Sequence, residues 1–81
     1  MSNHIIRLNT IHQVKDFVNH SSRYPFEITL ISGRMIINGK SIMGIFGLDL
    51  NSPILMETTG EGEELERFLS EIQEYLVSPQ D

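Results

Sequence analysis

An alternating stretch in the middle of the chain, PFEITLISGRMIIN (residues 25–38), most limits the folds open to this sequence. Its first half alternates apolar with polar residues, namely Phe26, Ile28 and Leu30 against Glu27 and Thr29. This is the pattern of a strand with one buried face. The SGR sequence that follows contains Gly33, which can take a positive φ, and predicts a tight turn into a second strand, MIIN. The stretch therefore predicts an antiparallel hairpin.

Two amphipathic patterns predict helices on either side of this hairpin. The first has apolar residues at helical spacing, Ile11, Val14, Phe17 and Val18. Thr10 and Gln13 precede it in the form of a capping box, with Thr10 as the N-cap. The second lies within residues 61–77 and has a longer apolar stripe, Leu65, Phe68, Leu69, Ile72 and Leu76, with Pro79 beyond its end.

The remaining segments complete an α+β order. A first strand is expected around Ile5, Ile6 and Leu8, and a last one in ILMETT (residues 54–59). A short helix is expected in GKSIMGIFGL (residues 39–48), where Ser41 is a good N-cap. The predicted order is β-α-β-β-α-β-α, an open-faced sandwich of a sheet with helices on one face, in a single domain over residues 1–81.

Composition excludes several classes of function. The chain has 81 residues, 40% of them hydrophobic, and no cysteine, so it can build one modest core without disulfides or thiolate metal sites. Its net charge is −5 and its six Lys and Arg residues are scattered, which argues against direct binding of nucleic acid. No apolar run approaches the roughly 20 residues of a membrane helix. We expect a cytoplasmic protein without a metal, a cofactor or membrane contact.

The GKSIMGIFGL stretch is apolar on more than one side, which is unusual for a short helix in a small domain. If Ile45 and Leu48 pack on the sheet, the helical spacing of about 100° per residue places Met43 near the surface. Phe46 or Ile42 would then lie at its edge. Exposed apolar side chains grouped on a helix mark a docking patch, and methionine adapts well to partners. The alternative is that the helix simply packs into a loose groove.

The element order and the KSIMGI run (residues 40–45) resemble the histidine-containing phosphocarrier family, HPr, of the bacterial sugar phosphotransferase system. The chain can be aligned with the family pattern without a gap from about Phe17 to Leu76. The resemblance implies a four-stranded antiparallel sheet of order 1-4-2-3, covered on one face by three helices. It also implies a protein that carries phosphate or regulates partners, and the chain has no nucleophile–base pair, phosphate loop or metal cluster that would suggest an enzyme.

The first helix departs from the family pattern, which is Gly-Leu-His-Ala-Arg-Pro with the phosphate-accepting His at the N-cap. On this alignment the His position falls on Thr10, the Arg position on His12 and the Pro position on Gln13. A threonine phosphate is a stable ester, whereas a phosphoimidazole can pass its phosphoryl group on. The resemblance therefore implies a degenerate phospho-site at Thr10. His12 is the alternative acceptor, although using it requires sliding the helix by two residues.

The regulatory serine of the family is retained as Ser41, which the resemblance makes a target of HPr kinase/phosphorylase. The same resemblance makes Ile42, Met43 and Phe46 of the second helix a surface that docks partner proteins. These partners would include the kinase, a catabolite-control transcription regulator or enzyme I. Serine is nevertheless a favoured helix N-cap whatever its regulation, so Ser41 alone does not require a regulatory function.

Three hypotheses follow from the sequence. The chain is expected to be an HPr-like regulatory or adaptor protein that does not carry phosphate on histidine. Alternatively, it is an active phosphocarrier that uses His12. The third possibility is a binding module that keeps the fold but has an unrelated partner.

Overall fold

The computed structural model describes residues 1–77 of the chain, so Pro79 lies outside the described residues. The elements follow the predicted order. They are β1 Ser2–Ile6, α1 Ile11–Ser21, β2 Ile28–Ser32, β3 Met35–Asn38, α2 Ile42–Phe46, β4 Ile54–Thr58 and α3 Gly62–Glu71, followed by a 3₁₀ turn over Gln73–Tyr75.

The four strands form one antiparallel sheet in the order β1-β4-β2-β3, which confirms the predicted topology. Opposed residues of neighbouring antiparallel strands lie on the same face, so the register assigns each side chain to a face. Ile6 pairs with Ile54, and Met56 pairs with Leu30. All four are fully buried, and their face of the sheet is the one that the helices cover.

The core lies between this covered face and the three helices. Each helix contributes fully buried side chains, with Val14 and Phe17 from α1, Ile45 from α2 and Phe68 from α3. Phe68 is the centre of an aromatic cluster, because its ring lies 6.2, 5.3 and 5.8 Å from the rings of Phe17, Tyr24 and Phe26. These distances are typical of favourable edge-to-face pairs.

Local sequence signals set the turn and the first helix end as expected. Gly33 has a φ of 61° in the two-residue loop between the paired Ser32 and Met35, as a type II′ hairpin turn requires at its first central position. Thr10 caps α1, with its hydroxyl accepting a hydrogen bond from the Gln13 amide at 3.1 Å. The Gln13 side chain accepts from the Asn9 amide at 2.7 Å, one residue before the cap, rather than from the Thr10 amide of a standard capping box. The Thr10 bond satisfies one of the amides that the first helical turn leaves without partners.

The structure differs from the predictions at the ends of β1 and α3 and in the burial of one residue of α1. β1 ends at Ile6, and Leu8 is buried beyond the strand. Ile11, the first residue of the predicted α1 stripe, is exposed because it starts the helix ahead of the core. The last helix ends at Glu71 rather than continuing to residue 77, and Leu76 forms an isolated antiparallel bridge with Ile6.

A polar network explains why the chain leaves the helical path after α3. The Tyr75 hydroxyl donates to Asp16 Oδ2 at 2.6 Å, and His20 Nδ1 lies 3.1 Å from Glu71 Oε1. His20 Nε2 also lies 3.6 Å from Asp16 Oδ1. Burial, and then the bond to Asp16, raise the pKa of Tyr75. The network joins α1 to both α3 and the 3₁₀ turn, so it anchors the segment that returns to β1.

Across residues 1–77, the helices are too short to cross a bilayer, since the longest of them, α1, has 11 residues.

Candidate functional site

The loop that leads into α2 is held in place by hydrogen bonds from three sides. The Gly39 amide donates to the Ile28 carbonyl at 2.7 Å, and the buried Ser21 hydroxyl donates to the Gly39 carbonyl at 2.9 Å. Lys40 Nζ donates to the Tyr24 carbonyl at 2.5 Å. A methyl group on Gly39 would lie 2.5 Å from Ile28 Cγ2, so the close approach to β2 requires glycine. The start of α2 is therefore fixed relative to the sheet and to α1.

Ser41 is the N-cap of α2, as the sequence predicts. Its hydroxyl accepts a hydrogen bond from the Gly44 amide at 3.1 Å, and its backbone is extended, with φ −104° and ψ 109°. Its own amide donates to the Asn38 carbonyl at 3.0 Å. The side chain is half-buried rather than locked inside the core. Hydrogen bonds to backbone groups before and after it in the chain thus fix the position of Ser41.

The apolar residues of α2 divide between the core and the surface. Ile45 is fully buried and Leu48 nearly so, while Met43 is 78% exposed and Phe46 is 39% exposed. Ile42 is partly buried and packs against the core. Of the two orientations that the sequence left open, the structure therefore has the one with Ile45 and Leu48 inward and Met43 at the surface. Whether the exposed side chains dock a partner stays a prediction.

The exposed side of α2 continues onto the neighbouring strand. Met35 of β3 is exposed, and its Cε lies 4.0 Å from where a methyl group on Gly47 would be. We call Met35, Ile42, Met43 and Phe46 the α2 surface. The sequence reasoning missed Met35, although strand parity could have indicated it, because Met35 and Ile37 must share the face that α2 covers.

The position predicted to be a degenerate phospho-site lies at the start of α1. Thr10 occupies the N-cap that the family gives to the phosphate-accepting His, and its hydroxyl is engaged with the Gln13 amide. His12 is the second residue inside the helix and is exposed, so it does not occupy the cap. Ile11, between them, is also exposed. The structure therefore confirms Thr10 as the N-cap and places His12 two residues after it, inside the helix.

His20 was assigned no function from the sequence, and the structure gives it a structural one. It contacts Asp16 one turn before it and Glu71 on α3, as described above. Its partner on α3 is 51 residues away in the chain, so no local pattern could have identified it. Among the described residues, no group of three or more His, Asp and Glu side chains is arranged to hold a metal ion.

Charge is distributed unevenly along the chain. Between Ile28 and Leu48 the sequence has no acidic residue, and it contains Arg34 and Lys40. Eleven Asp and Glu residues lie elsewhere in a chain whose net charge is −5. The hairpin and α2 therefore form a cationic part of an acidic protein.

Solved structures of three phosphocarrier-type proteins are similar to this chain over most of its length. An HPr of Thermoanaerobacter tengcongensis is 21% identical with a TM-score of 0.71, over 91% of this chain and 89% of that one. Crh, a catabolite-repression protein of Bacillus subtilis, is 25% identical with a TM-score of 0.62, over 90% and 87%. A histidine-containing phosphocarrier protein of Mycoplasma is 19% identical with a TM-score of 0.64, over 90% and 86%.

No protein-family model matches the chain, and no curated protein matches it. The structural similarity therefore shows the HPr fold, in agreement with the resemblance recognised in the sequence. At these identities a shared fold does not by itself transfer a function, which has to be argued from the site.

Proposed function

We propose that the chain is a single-domain, HPr-like adaptor that docks partner proteins through Ile42, Met43 and Phe46 and is regulated by phosphorylation of Ser41. In this proposal it is not an enzyme and does not carry phosphate on histidine. Its partners are proteins of the bacterial cytoplasm: HPr kinase/phosphorylase, a catabolite-control transcription regulator or enzyme I.

The observation that carries this proposal is the exposure of Met43 and Phe46 beside a capped helix start. Apolar surface left in water is less favourable than buried apolar surface by about 25 cal/mol per Å². Burying Met43 against a partner recovers part of that cost. Methionine is flexible and polarizable, so it fits irregular apolar surfaces well. Ser41 begins the same helix, so a phosphate there would lie beside the docking residues.

The chemistry of Ser41 is compatible with phosphorylation that leaves the domain folded. The hydroxyl is half-buried and contacts a backbone amide, and a phosphate has oxygens that can accept from the same amide. A phosphate adds a charge of about −1.5 to −2. It would enter the part of the chain between Ile28 and Leu48 that has no acidic residue, so no nearby carboxylate in sequence opposes it.

The proteins whose structures are similar support the same class of function. Crh is described as a catabolite-repression protein, and the two others are phosphocarriers of the HPr type. Because Thr10 stands in place of the phosphate-accepting His, we favour a regulatory function like that of Crh over a phosphocarrier function for the present chain. Its hydroxyl can cap a helix but cannot form a phosphoimidazole.

The first experiment tests the modification. The purified chain is incubated with HPr kinase/phosphorylase and ATP, and phosphate incorporation is followed by intact mass. We expect one phosphate on the wild type and none on Ser41→Ala. Ser70, which is exposed on α3, offers a matched control as Ser70→Ala. No incorporation, or incorporation that Ser41→Ala leaves unchanged, would remove the regulatory part of the proposal.

The second experiment tests the docking surface. Binding of the Ser41-phosphorylated chain to a catabolite-control transcription regulator is measured by calorimetry for Met43→Gln and for Ile5→Gln. Both residues are exposed, but Ile5 lies on β1, away from α2. We expect Met43→Gln to weaken binding by about tenfold, a typical effect for an interface anchor. Equal affinities of the two variants would contradict the assignment of the surface.

The phosphocarrier alternative has its own test. Phosphoenolpyruvate and enzyme I would give an acid-labile phosphohistidine if His12 accepted phosphate, and His12→Ala would abolish it. We expect the mass of the wild-type chain to stay unchanged after this reaction, because the residue at the α1 cap is Thr10.

A further inference from the structure

Within residues 1–77, the chain covers one edge of the sheet, at β1, and leaves the other edge, at β3, uncovered. β1 is flanked by the segment that begins at the last residue of the 3₁₀ turn. The Arg7 amide donates to the Tyr75 carbonyl at 2.9 Å, and the Val77 amide donates to the Ile5 carbonyl at 2.8 Å. β3, at the other end of the order β1-β4-β2-β3, has no strand on its outer side within residues 1–77. Only one edge is therefore covered by the chain itself.

The outer side of β3 presents unpaired backbone groups. In a hairpin with a two-residue type II′ loop, Ser32 and Met35 are hydrogen-bonded to each other, and the bonded pairs alternate along the strands. Met35 and Ile37 thus direct their backbone groups toward β2, and Ile36 directs its N–H and C=O outward. The Asn38 carbonyl accepts from the Ser41 amide, so the free part of the edge is Met35–Ile37.

This edge lacks the features that usually prevent strands from pairing with other molecules. Natural edge strands carry lysine or other charged residues, proline or bulges. Residues 35–38 read MIIN, with no charge and no proline, and their register with β2 is unbroken. Ile36 is 70% exposed. An uncharged, apolar edge of this kind is a template for another strand.

An apolar row on the uncovered face of the sheet ends at this edge. The register places Ile5 opposite Leu55, Leu55 opposite Ile31, and Ile31 opposite Ile36. These four residues form one continuous row across β1, β4, β2 and β3. A strand added beside β3 with an apolar residue opposite Ile36 would extend this row by one more side chain.

We propose that the occupant of the β3 edge is a second copy of the chain, paired antiparallel about a two-fold axis at Ile36. Ile36 then lies opposite Ile36 of the second copy, and Met35 lies opposite Ile37 of the second copy. This register keeps side chains of the same face together, as antiparallel pairing requires, and joins the two apolar rows end to end. It also places no like charges opposite each other.

The paired strands themselves bring no charges together. Each copy has a net charge of −5, so two copies repel, but β3 itself contains no charged residue. The paired segment is only three residues long, so the interface is small. Small interfaces are weak, and we expect a reversible dimer with a dissociation constant of roughly 0.1–1 mM.

Sedimentation velocity and amide NMR spectra over protein concentrations up to about 1 mM test this proposal. We expect reversible dimerisation of the wild type, with shifts concentrated in residues 35–38. Ile36→Lys should weaken the dimer by at least about tenfold, because it puts two cations opposite each other. Ile36→Thr, which stays β-branched and suits a strand, should weaken it less. Ile5→Lys is the matched control, because it alters the same row at the covered edge.

Three results would overturn the proposal. If the chain remained monomeric at about 1 mM, a second copy would not be the occupant of the β3 edge. An equal loss of dimer in Ile5→Lys and Ile36→Lys would indicate that two sheets stack face to face. A dimer that persists in Ile36→Lys would indicate another interface, such as the exchange of a domain described for Crh. Thermal unfolding of each variant shows that it has remained folded.

Discussion

The hydrogen bond between Tyr75 and Asp16 allows a quantitative test of how the C-terminal segment is held. Tyr75→Phe removes only the hydroxyl that donates to Asp16 Oδ2 at 2.6 Å. Tyr75 is buried and the ring is retained, so the substitution creates no large cavity. Any loss of stability can therefore be attributed to this bond.

The structure gives the size of the expected loss. A hydrogen bond to a charged group contributes about 1.5–3 kcal/mol. The Asp16 side chain is 38% exposed, so water can replace the lost donor, and we expect a loss at or just below the low end of that range, about 1–1.5 kcal/mol. In a domain of this size, each kcal/mol lowers the melting temperature by about 4–8 °C.

The same residue should give the protein a dependence on alkaline pH. Burial, followed by the bond to Asp16, raises the pKa of Tyr75 in the folded state above its ordinary value of about 10. The folded state then holds the proton more tightly than the unfolded state. The stabilisation of the folded state that comes from this raised pKa is complete below pH about 10 and is lost as the pH rises above that value. Tyr24, whose pKa is also raised by burial, should leave part of this dependence in Tyr75→Phe.

Urea unfolding followed by circular dichroism, at neutral pH and at several values above pH about 10, measures both effects. We expect Tyr75→Phe to be less stable than the wild type at neutral pH and to lose stability less steeply as the pH rises. Equal stabilities at neutral pH, or parallel losses at alkaline pH, would refute the assignment of Tyr75 as the anchor of this segment.

Substitutions at three positions test the rest of the fold by the same unfolding measurement. Phe68→Ala should cost about 3–5 kcal/mol, because it empties the centre of the aromatic cluster, and a loss under 1 kcal/mol would contradict that position. Gly60→Ala should cost roughly 1–3 kcal/mol, because its methyl group would lie 2.8 Å from the Phe26 ring; an unchanged stability would show that the ring can move away. Ser41→Ala should cost about 1 kcal/mol by leaving the Gly44 amide without its acceptor, and Ser41→Asn should restore most of it. Equal losses in both Ser41 variants would contradict the capping function.

The sequence was sufficient for the local features of this protein because the interactions that produce them join residues close in the chain. The caps at Thr10 and Ser41 each bond to an amide three residues later, and the hairpin turn depends on the φ of Gly33. Alternation in β2 and β4 identified the buried faces of both strands. The HPr fold followed from these elements and their order, and the solved structures agree with it.

The tertiary structure decided the features that depend on distant partners. α3 ends at Glu71, and not at residue 77, because Tyr75 bonds to Asp16, 59 residues earlier, and the chain then pairs with β1. His20 acquired its partner on α3 in the same way. Helical spacing alone allowed either side of α2 to face the sheet, and packing chose Ile45 and left Met43 in solvent. The uncovered edge at Ile36 also required the sheet order, since one strand's sequence does not show which neighbours will cover it.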